Sequence, residues 1–308
     1  MNNKNRAGDE IKIINGSRNL PLLLREIPRP PNRLYYRGDF LSLVSERHEE
    51  NSPKFLCVVG SRHPTNYGQT ACEHLIAGLA GHNIVIVSGL AFGIDSIAHR
   101  AALKAGLKTI AVPGSGLDWN ENYPKNHFGL AQEIIENDGA LVSPFAPQFK
   151  AAYYSFPERN RIMAGLSHAT LVVEAREKSG TLITSKLATE YNRDVGAVPG
   201  SIFSENSFGS HMLIHLGAMP ICNTDDLLQL LGIKTENKQL DFLSKNLDEK
   251  NLDKNERLIA KILKSPLTLD ELVEHSGLSM QEINIALSGL EIMKLVTIRG
   301  GIVTPNLP

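Results

Sequence analysis

The residues best suited to chemistry in this chain are arginines set among aromatic rings and glycine loops. The densest polar stretch is FPERNRIMAGLS at 156–167, where Phe156 leads and Arg159 and Arg161 flank Asn160 ahead of an apolar helix. Tyr153 and Tyr154 stand just upstream. Guanidinium groups interleaved with rings suit a single-stranded nucleic acid, because the charges track phosphates while each base stacked on a ring contributes about 1–3 kcal/mol. The same arginines can instead pair with a carboxylate such as Glu174, with Phe156 in the core, and spacing alone leaves both readings open. Five loops bring glycines to strand ends: VVGSRHPT at 58–65, VSGLAFGID at 87–95, AVPGSG at 111–116, REKSGTLITS at 176–185 and AVPGS at 197–201. Glycine lets backbone N–H groups close on an anion, and a helix N-terminus adds its dipole. It also simply tightens a turn.

Other chemistries fail on spacing. No GxxxxGK[ST] string occurs, and the one GxG start, Gly114-Ser115-Gly116, places Trp119 where a dinucleotide fingerprint needs its third glycine. HExxH, GxSxG and a Cys/His cluster are likewise missing from the sequence, so no cofactor, no metal and no catalytic residue is expected. Asp95 and His99 share a helix face and read as a local hydrogen bond. Cys57, Cys72 and Cys222 are isolated from one another and read as small core filler.

The elements that would position these loops alternate. From 54 onward, β-branched runs (FLCVVGS, NIVIVSG, KTIAVPG, ALVSPF, ATLVVEA, DVGAVPG) are separated by helical-period segments, among them ERNRIMAGLSH and GTLITSKLATEYN. Strands apolar on both faces belong in a parallel sheet covered by helices, so the expected fold is α/β, a doubly wound mostly parallel sheet with its ligand crevice at the strands' carboxyl ends. Residues 1–50 read as a short proline-bearing lead-in without a complete helical domain, 51–232 as the main domain and 233–253 as a charged linker. Residues 254–308, three helices and a hairpin with a Gly-Gly turn, read as a winged helix.

Composition sets limits on partners. Among 308 residues, 32 Lys+Arg face 33 Asp+Glu, so any nucleic-acid site is a local patch. Apolar stretches fall short of the ~20 residues of a membrane helix, and the first residues hold no signal core, so a cytoplasmic protein is expected. Within 253–308 six cations meet seven acids, and the expected recognition helix, SMQEINIALSGLE, carries no cation. A protein-contact or strand-guiding role is therefore favoured over duplex reading.

Taken together, GSRHPTNYG (60–68), SGLAFGIDSIAH (88–99), GSGLDWNENYPKNH (114–127), FPERNRIMAGLS, VVEAREKSGTLITSKLA (172–188) and NSFGSHMLIHLGA (206–218) resemble, in order, the motifs of the bacterial DprA/Smf DNA-processing family. The resemblance covers about residues 30–232. It implies an extended Rossmann-like domain that binds single-stranded DNA without sequence preference, forms homodimers, protects incoming strands during natural transformation and helps load the RecA recombinase. Carried over by position, the DNA contacts are Gly60, Ser61, Arg62, Lys125, Phe156, Arg159, Asn160, Arg161, Gly180 and Thr181. Arg62, Lys125, Arg159 and Arg161 would neutralise phosphates; Ser61, Thr181 and the glycine N–H groups would hydrogen-bond them, and Phe156 would stack on a base. Two departures stand out: the lead-in is short for the helical N-terminal domain of many members, and Tyr153-Tyr154-Ser155 occupy positions where a cation or histidine is expected. An apolar helix over 211–219, with Met212, Leu213, Leu216 and Met219 at helical spacing, is either a dimer face or core. The alternative function is a nucleoside-monophosphate phosphoribohydrolase of the LOG type, but its acid shortly after the Gly-Thr pair is absent here, the first being Glu190. A ligand-sensing transcriptional regulator is a third reading, opposed by the acidic winged helix.

Overall fold

The computed structural model describes residues 10–45, 52–121, 124–233, 252–263, 267–293, 295–299 and 301–305. Contacts divide the chain into two compact units, residues 1–234 and 235–308. Most of the expected linker, 234–251, lies outside the described residues.

The lead-in is more than an extended strap. It contributes β1 (Lys12–Asn15), helix α1 (Leu22–Arg25), β2 (Arg33–Gly38) and helix α2 (Phe40–Val44) to the main domain. In RLYYRG, Leu34 and Tyr36 are buried in one core while Tyr35 packs against another and Arg37 is buried, so β2 is covered on both faces. β1 pairs antiparallel with β2, in register Ile14 to Leu34.

Six apolar runs then form the parallel sheet: β3 (Lys54–Gly60), β4 (Ile84–Ser88), β5 (Lys108–Ala111), β6 (Ala140–Ser143), β7 (Ala169–Val173) and β8 (Asp194–Ala197), with a two-residue β9 (Met219–Pro220). The order is β1-β2-β6-β5-β4-β3-β7-β8-β9, with β2 antiparallel to β6 and the pairs from β6 to β9 parallel. Alternate residues of β3 serve two cores. Phe55, Cys57 and Val59 pack on the face that holds the lead-in; Leu56 and Val58 pack on the other. Each such fully buried aliphatic side chain stabilises by about 1.5–3 kcal/mol. Helices α3 (Asn66–Ala77), α4 (Ile94–Lys104), α5 (Phe128–Glu136), α6 (Ser155–Gly165), α7 (Gly180–Glu190), α8 (Phe208–His215) and α9 (Thr224–Leu230) complete the layers. Chain order reverses between β3 and β7, since β4 to β6 extend one way and β7 to β9 the other. That is the switch point of a doubly wound, Rossmann-like fold, where a crevice must open at the carboxyl ends.

Three sequence expectations change here. Helix α6 starts at Ser155, three residues before the expected ERNRIMAGLSH segment, so Phe156 and Pro157 join it; Pro157 sits in the first turn, where a missing N–H costs nothing. The helix expected over 211–219 stops at His215: Gly217 has φ +102°, and Met219 lies in β9. Cys57 and Cys72 are buried, with burial pushing the Cys57 thiol up to about 12, but Cys222 is exposed.

The second unit is a winged helix: α10 (Lys254–Ile262), β10 (Leu267–Thr268), α11 (Leu269–Ser276), α12 (Met280–Ile292) and the hairpin β11 (Val296–Arg299) and β12 (Ile302–Pro305). Each helix opens on a capping box, Asp253 with Glu256, Thr268 with Glu271 and Ser279 with Glu282. Four of the seven acids in 253–308, Asp253, Glu256, Glu271 and Glu282, are therefore helix caps, which gives much of that segment's negative charge a structural role.

Candidate nucleic-acid interface

A crevice of about 450 Å³ opens at the β3/β7 switch point. Eight of the ten expected contact residues line it: Gly60, Ser61, Arg62, Phe156, Arg159, Asn160, Gly180 and Thr181. Lys125 is exposed on the short turn Lys125–His127 beside the crevice rather than within it, and Arg161 is elsewhere.

The first wall is the loop after β3. Gly60 is tight against β7, since a Cβ there would overlap the Val173 carbonyl and Ile94. The Ser61 carbonyl accepts from Ile94 N–H at 3.1 Å, and its hydroxyl accepts from His63 N–H at 3.1 Å. Gly93, at φ +77°, lets α4 begin directly under this loop, where a Cβ would overlap Ser61 O. The loop exits through Thr65, whose N–H and hydroxyl both donate to the buried Glu174 carboxylate at the end of β7. Glu174 therefore serves the loop and is not the partner of Arg159 or Arg161. Arg62 is left exposed, its guanidinium 5.4 Å from the Phe156 ring centroid.

The second wall is α6. Phe156, Arg159, Asn160 and Met163 follow the i, i+3, i+4, i+7 spacing of one helix face and all line the crevice. Arg161 is two residues, about 200°, from Arg159, so a helix sends the two apart. Arg161 instead donates to the carbonyls of Pro28 at 2.8 Å and Arg29 at 2.7 Å and pairs with Glu158 at 2.8 Å, tying α6 to the lead-in. Its guanidinium is thus engaged with the lead-in and is not brought into the crevice. Arg159 is only 5% exposed: one nitrogen donates to Val112 O at 3.0 Å and lies 3.7 Å from the Asp95 carboxylate. Burial pushes Asp95 up, opposed by Arg159, and burial pulls Arg159 down, opposed by Asp95. Arg159 thus forms the floor of the crevice. Phe156 leans on Gly114, where a Cβ would lie 2.7 Å from its ring.

The third wall is the N-terminus of α7. Ser179 caps the helix, accepting from Thr181 N–H at 3.2 Å, and the Thr181 hydroxyl donates to Gly60 O at 3.1 Å. That hydroxyl joins α7 to the end of β3. Arg176 and Lys178, both exposed, stand on the loop leading into α7. With Arg62 they put three exposed cations around one helix N-terminus, a setting built for anions. The sequence reading passed over Arg176, Lys178 and His63, which also line the crevice; the signal for the first two was their place in REKSGT, directly before the cap. Asp95 is the acid among the described crevice residues, and it is tied to Arg159. His99 bonds to Thr109 at 2.7 Å instead of to Asp95. Among the described residues no group of three metal-ligating side chains occurs.

This order of motifs and this crevice have counterparts. The family model for DNA recombination-mediator protein A matches residues 12–232. The chain belongs to that family. The match takes in β1 and β2, so the lead-in strands are part of the family's domain, and a DprA winged helix domain matches residues 247–301. The chain is 35% identical over 306 residues to the Protein Smf of Synechocystis sp., covering 90% of this chain and 75% of that one. The X-ray structure of DNA processing protein A from Streptococcus pneumoniae shares 40% identity with a TM-score of 0.64, over 72% of this chain and 75% of that one. The structure of the Helicobacter pylori protein, described for its single-stranded DNA binding mode, gives a TM-score of 0.62 at 29% identity, over 73% and 97%.

Proposed function

We propose that this member of the family is a non-enzymatic, sequence-indifferent single-stranded DNA-binding protein of the cytoplasm that protects incoming strands during natural transformation and helps load RecA. The observation that carries the reading is the crevice itself: exposed Arg62, Arg176 and Lys178 surround the α7 N-terminus while Phe156 supplies a ring beside them. Cations and a helix dipole serve phosphates, and the ring serves an unpaired base. The LOG-type alternative gains no support, since α7 continues past Gly180-Thr181 with Leu182, Ile183 and Thr184, and Glu190 lies at its far end beside Lys186.

Homodimerisation belongs to the same reading. Leu213 packs on the core and Met219 is in β9, so the four residues expected as one face do not form one. Ile202 (81% exposed) and Phe203 (91%), with Phe208 and Met212, line the apolar surface that suits a second copy, and Leu216 (73%) is exposed just past the end of α8. On the winged helix, α12 turns Gln281, Ile285, Ser288 and Ile292 outward without a cation, which favours protein contact or strand guiding.

The test is fluorescence anisotropy with labelled oligo-dT and the matching duplex across a salt series. Single-strand preference that weakens with salt is expected, and Arg62→Ala with Lys178→Ala lowers both affinity and the log–log salt slope, by about 0.7 per lost phosphate contact. Equal binding at low and high salt removes the proposal.

A further inference from the structure

At the mouth of the crevice the surface carries large, mostly exposed aromatic rings. Tyr153 is 93% exposed and lines the crevice mouth; Tyr154 is 63% exposed. Behind Tyr154 the rings continue: Phe149 meets it edge-on at 6.1 Å and stacks on Phe145 at 4.4 Å. Large exposed rings of this kind are usually found on loose segments. These are not.

The backbone beneath them is pinned at both ends. Buried Ser155 donates to Gly114 O at 2.6 Å and accepts from Ala152 N–H at 3.1 Å, closing the turn that holds both tyrosines. Upstream, Gly116 N–H donates to Phe149 O at 2.8 Å and Asp118 N–H to Pro147 O at 2.9 Å, locking the loop to the segment that supports Phe156. The backbone that carries the two rings is thus fixed beside the crevice wall, and the Tyr154 ring rests edge-on against Phe149. A fixed backbone leaves only side-chain rotation to be lost when a ring meets a flat partner, which suits a stacking site. The nearest cation on this loop, Lys150, is exposed, so the ledge also has a charge for a backbone passing over it.

We propose that Tyr153 and Tyr154 form a base-stacking ledge that receives the unpaired nucleobases of a DNA strand as it leaves the crevice. The inference rests on the single-strand reading above and adds to it a second, uncharged contact zone. The crevice holds the backbone through charge, and the ledge holds bases through ring contact. Stacking releases no counterions, so the ledge's share of affinity persists at high salt.

The experiment compares wild type, Tyr153→Ser/Tyr154→Ser and Tyr153→Phe/Tyr154→Phe on the intact chain. The probes are a labelled oligo-dT and an oligomer of equal length and charge whose sugars carry no bases. The serine variant is expected to bind oligo-dT at least about fivefold more weakly, with an unchanged salt slope and unchanged binding to the baseless oligomer. The phenylalanine variant is expected to retain wild-type affinity. Both sites are exposed, and circular dichroism checks that the variants fold. Unchanged oligo-dT affinity in the serine variant overturns the ledge while leaving the crevice reading in place. So does an equal loss on the baseless oligomer, or a lower salt slope, since either makes the tyrosines phosphate contacts. Absence of single-strand binding in wild type overturns both.

Discussion

Removing the Asp95 carboxylate tests whether the buried ion pair holds the floor of the crevice. In Asp95→Ala the Arg159 guanidinium, 5% exposed, keeps the Val112 carbonyl at 3.0 Å but loses the carboxylate at 3.7 Å. Removing one partner of a buried pair leaves an uncompensated charge and costs about 3–5 kcal/mol. At about 2–4 °C per kcal/mol for a domain of this size, the melting temperature falls by roughly 6–20 °C. Asp95→Ala/Arg159→Met removes both charges and restores apolar volume, so its cost is less than the sum of the single variants by about 1.5 kcal/mol or more. The assay is urea unfolding followed by fluorescence. The chain's single tryptophan, Trp119, belongs to the α/β unit, so the signal reports that unit alone. A loss under about 1 kcal/mol in Asp95→Ala, or strict additivity in the double variant, refutes the assignment of Arg159 to the floor.

Arg161→Ala is expected to lower stability through its lost bonds to Pro28 and Arg29 while leaving the DNA salt slope unchanged, read by unfolding and anisotropy together. Gly93→Ala forces a Cβ against Ser61 at φ +77°, and weakened oligo-dT binding is the expected result. Burial holds His99 down to about 3 and His168 down to about 4, both below the ordinary histidine value near 6.5. A histidine depressed in the fold is protonated first in the unfolded chain, so stability is full above pH ~6.5 and falls toward pH ~4 by up to about 1.4 kcal/mol per unit per histidine; His168→Asn, which keeps an acceptor for Phe55 N–H, makes the acid limb shallower in pH-dependent unfolding. Phe203→Glu with Leu216→Glu is expected to yield monomer in sedimentation without loss of fold, since both side chains are largely exposed.

Much of the molecule was legible because its signals were local. The parallel sheet followed from runs apolar on both faces, and the winged helix from its three helices and Gly-Gly turn. The GSR and SGT loops were found because glycine at a strand end has few other uses. What escaped is the helical angle. ERNRIMAGLSH reads as a helix, which already sets Arg159 and Arg161 about 200° apart, yet both were carried over as DNA contacts by position; with α6 beginning at Ser155, Phe156 joins the helix and the face Phe156, Arg159, Asn160, Met163 becomes evident. The Asp95 pairing was hidden because it joins α4 to α6 across 64 positions, a contact that no local spacing encodes. The lead-in strands were missed because prolines drew attention away from RLYYRG.

The ends of the nine-stranded sheet carry a consequence for how copies of this chain can meet. A free sheet edge is an invitation to add another strand, and proteins blunt it with brevity and proline. One outer strand here is the four-residue β1; the other is the two-residue β9, which ends on Pro220 and so lacks a donor N–H there. Neither offers a ladder long enough to template a neighbour. The second copy proposed above therefore meets this sheet through side chains rather than by strand addition, a contact that single substitutions can undo.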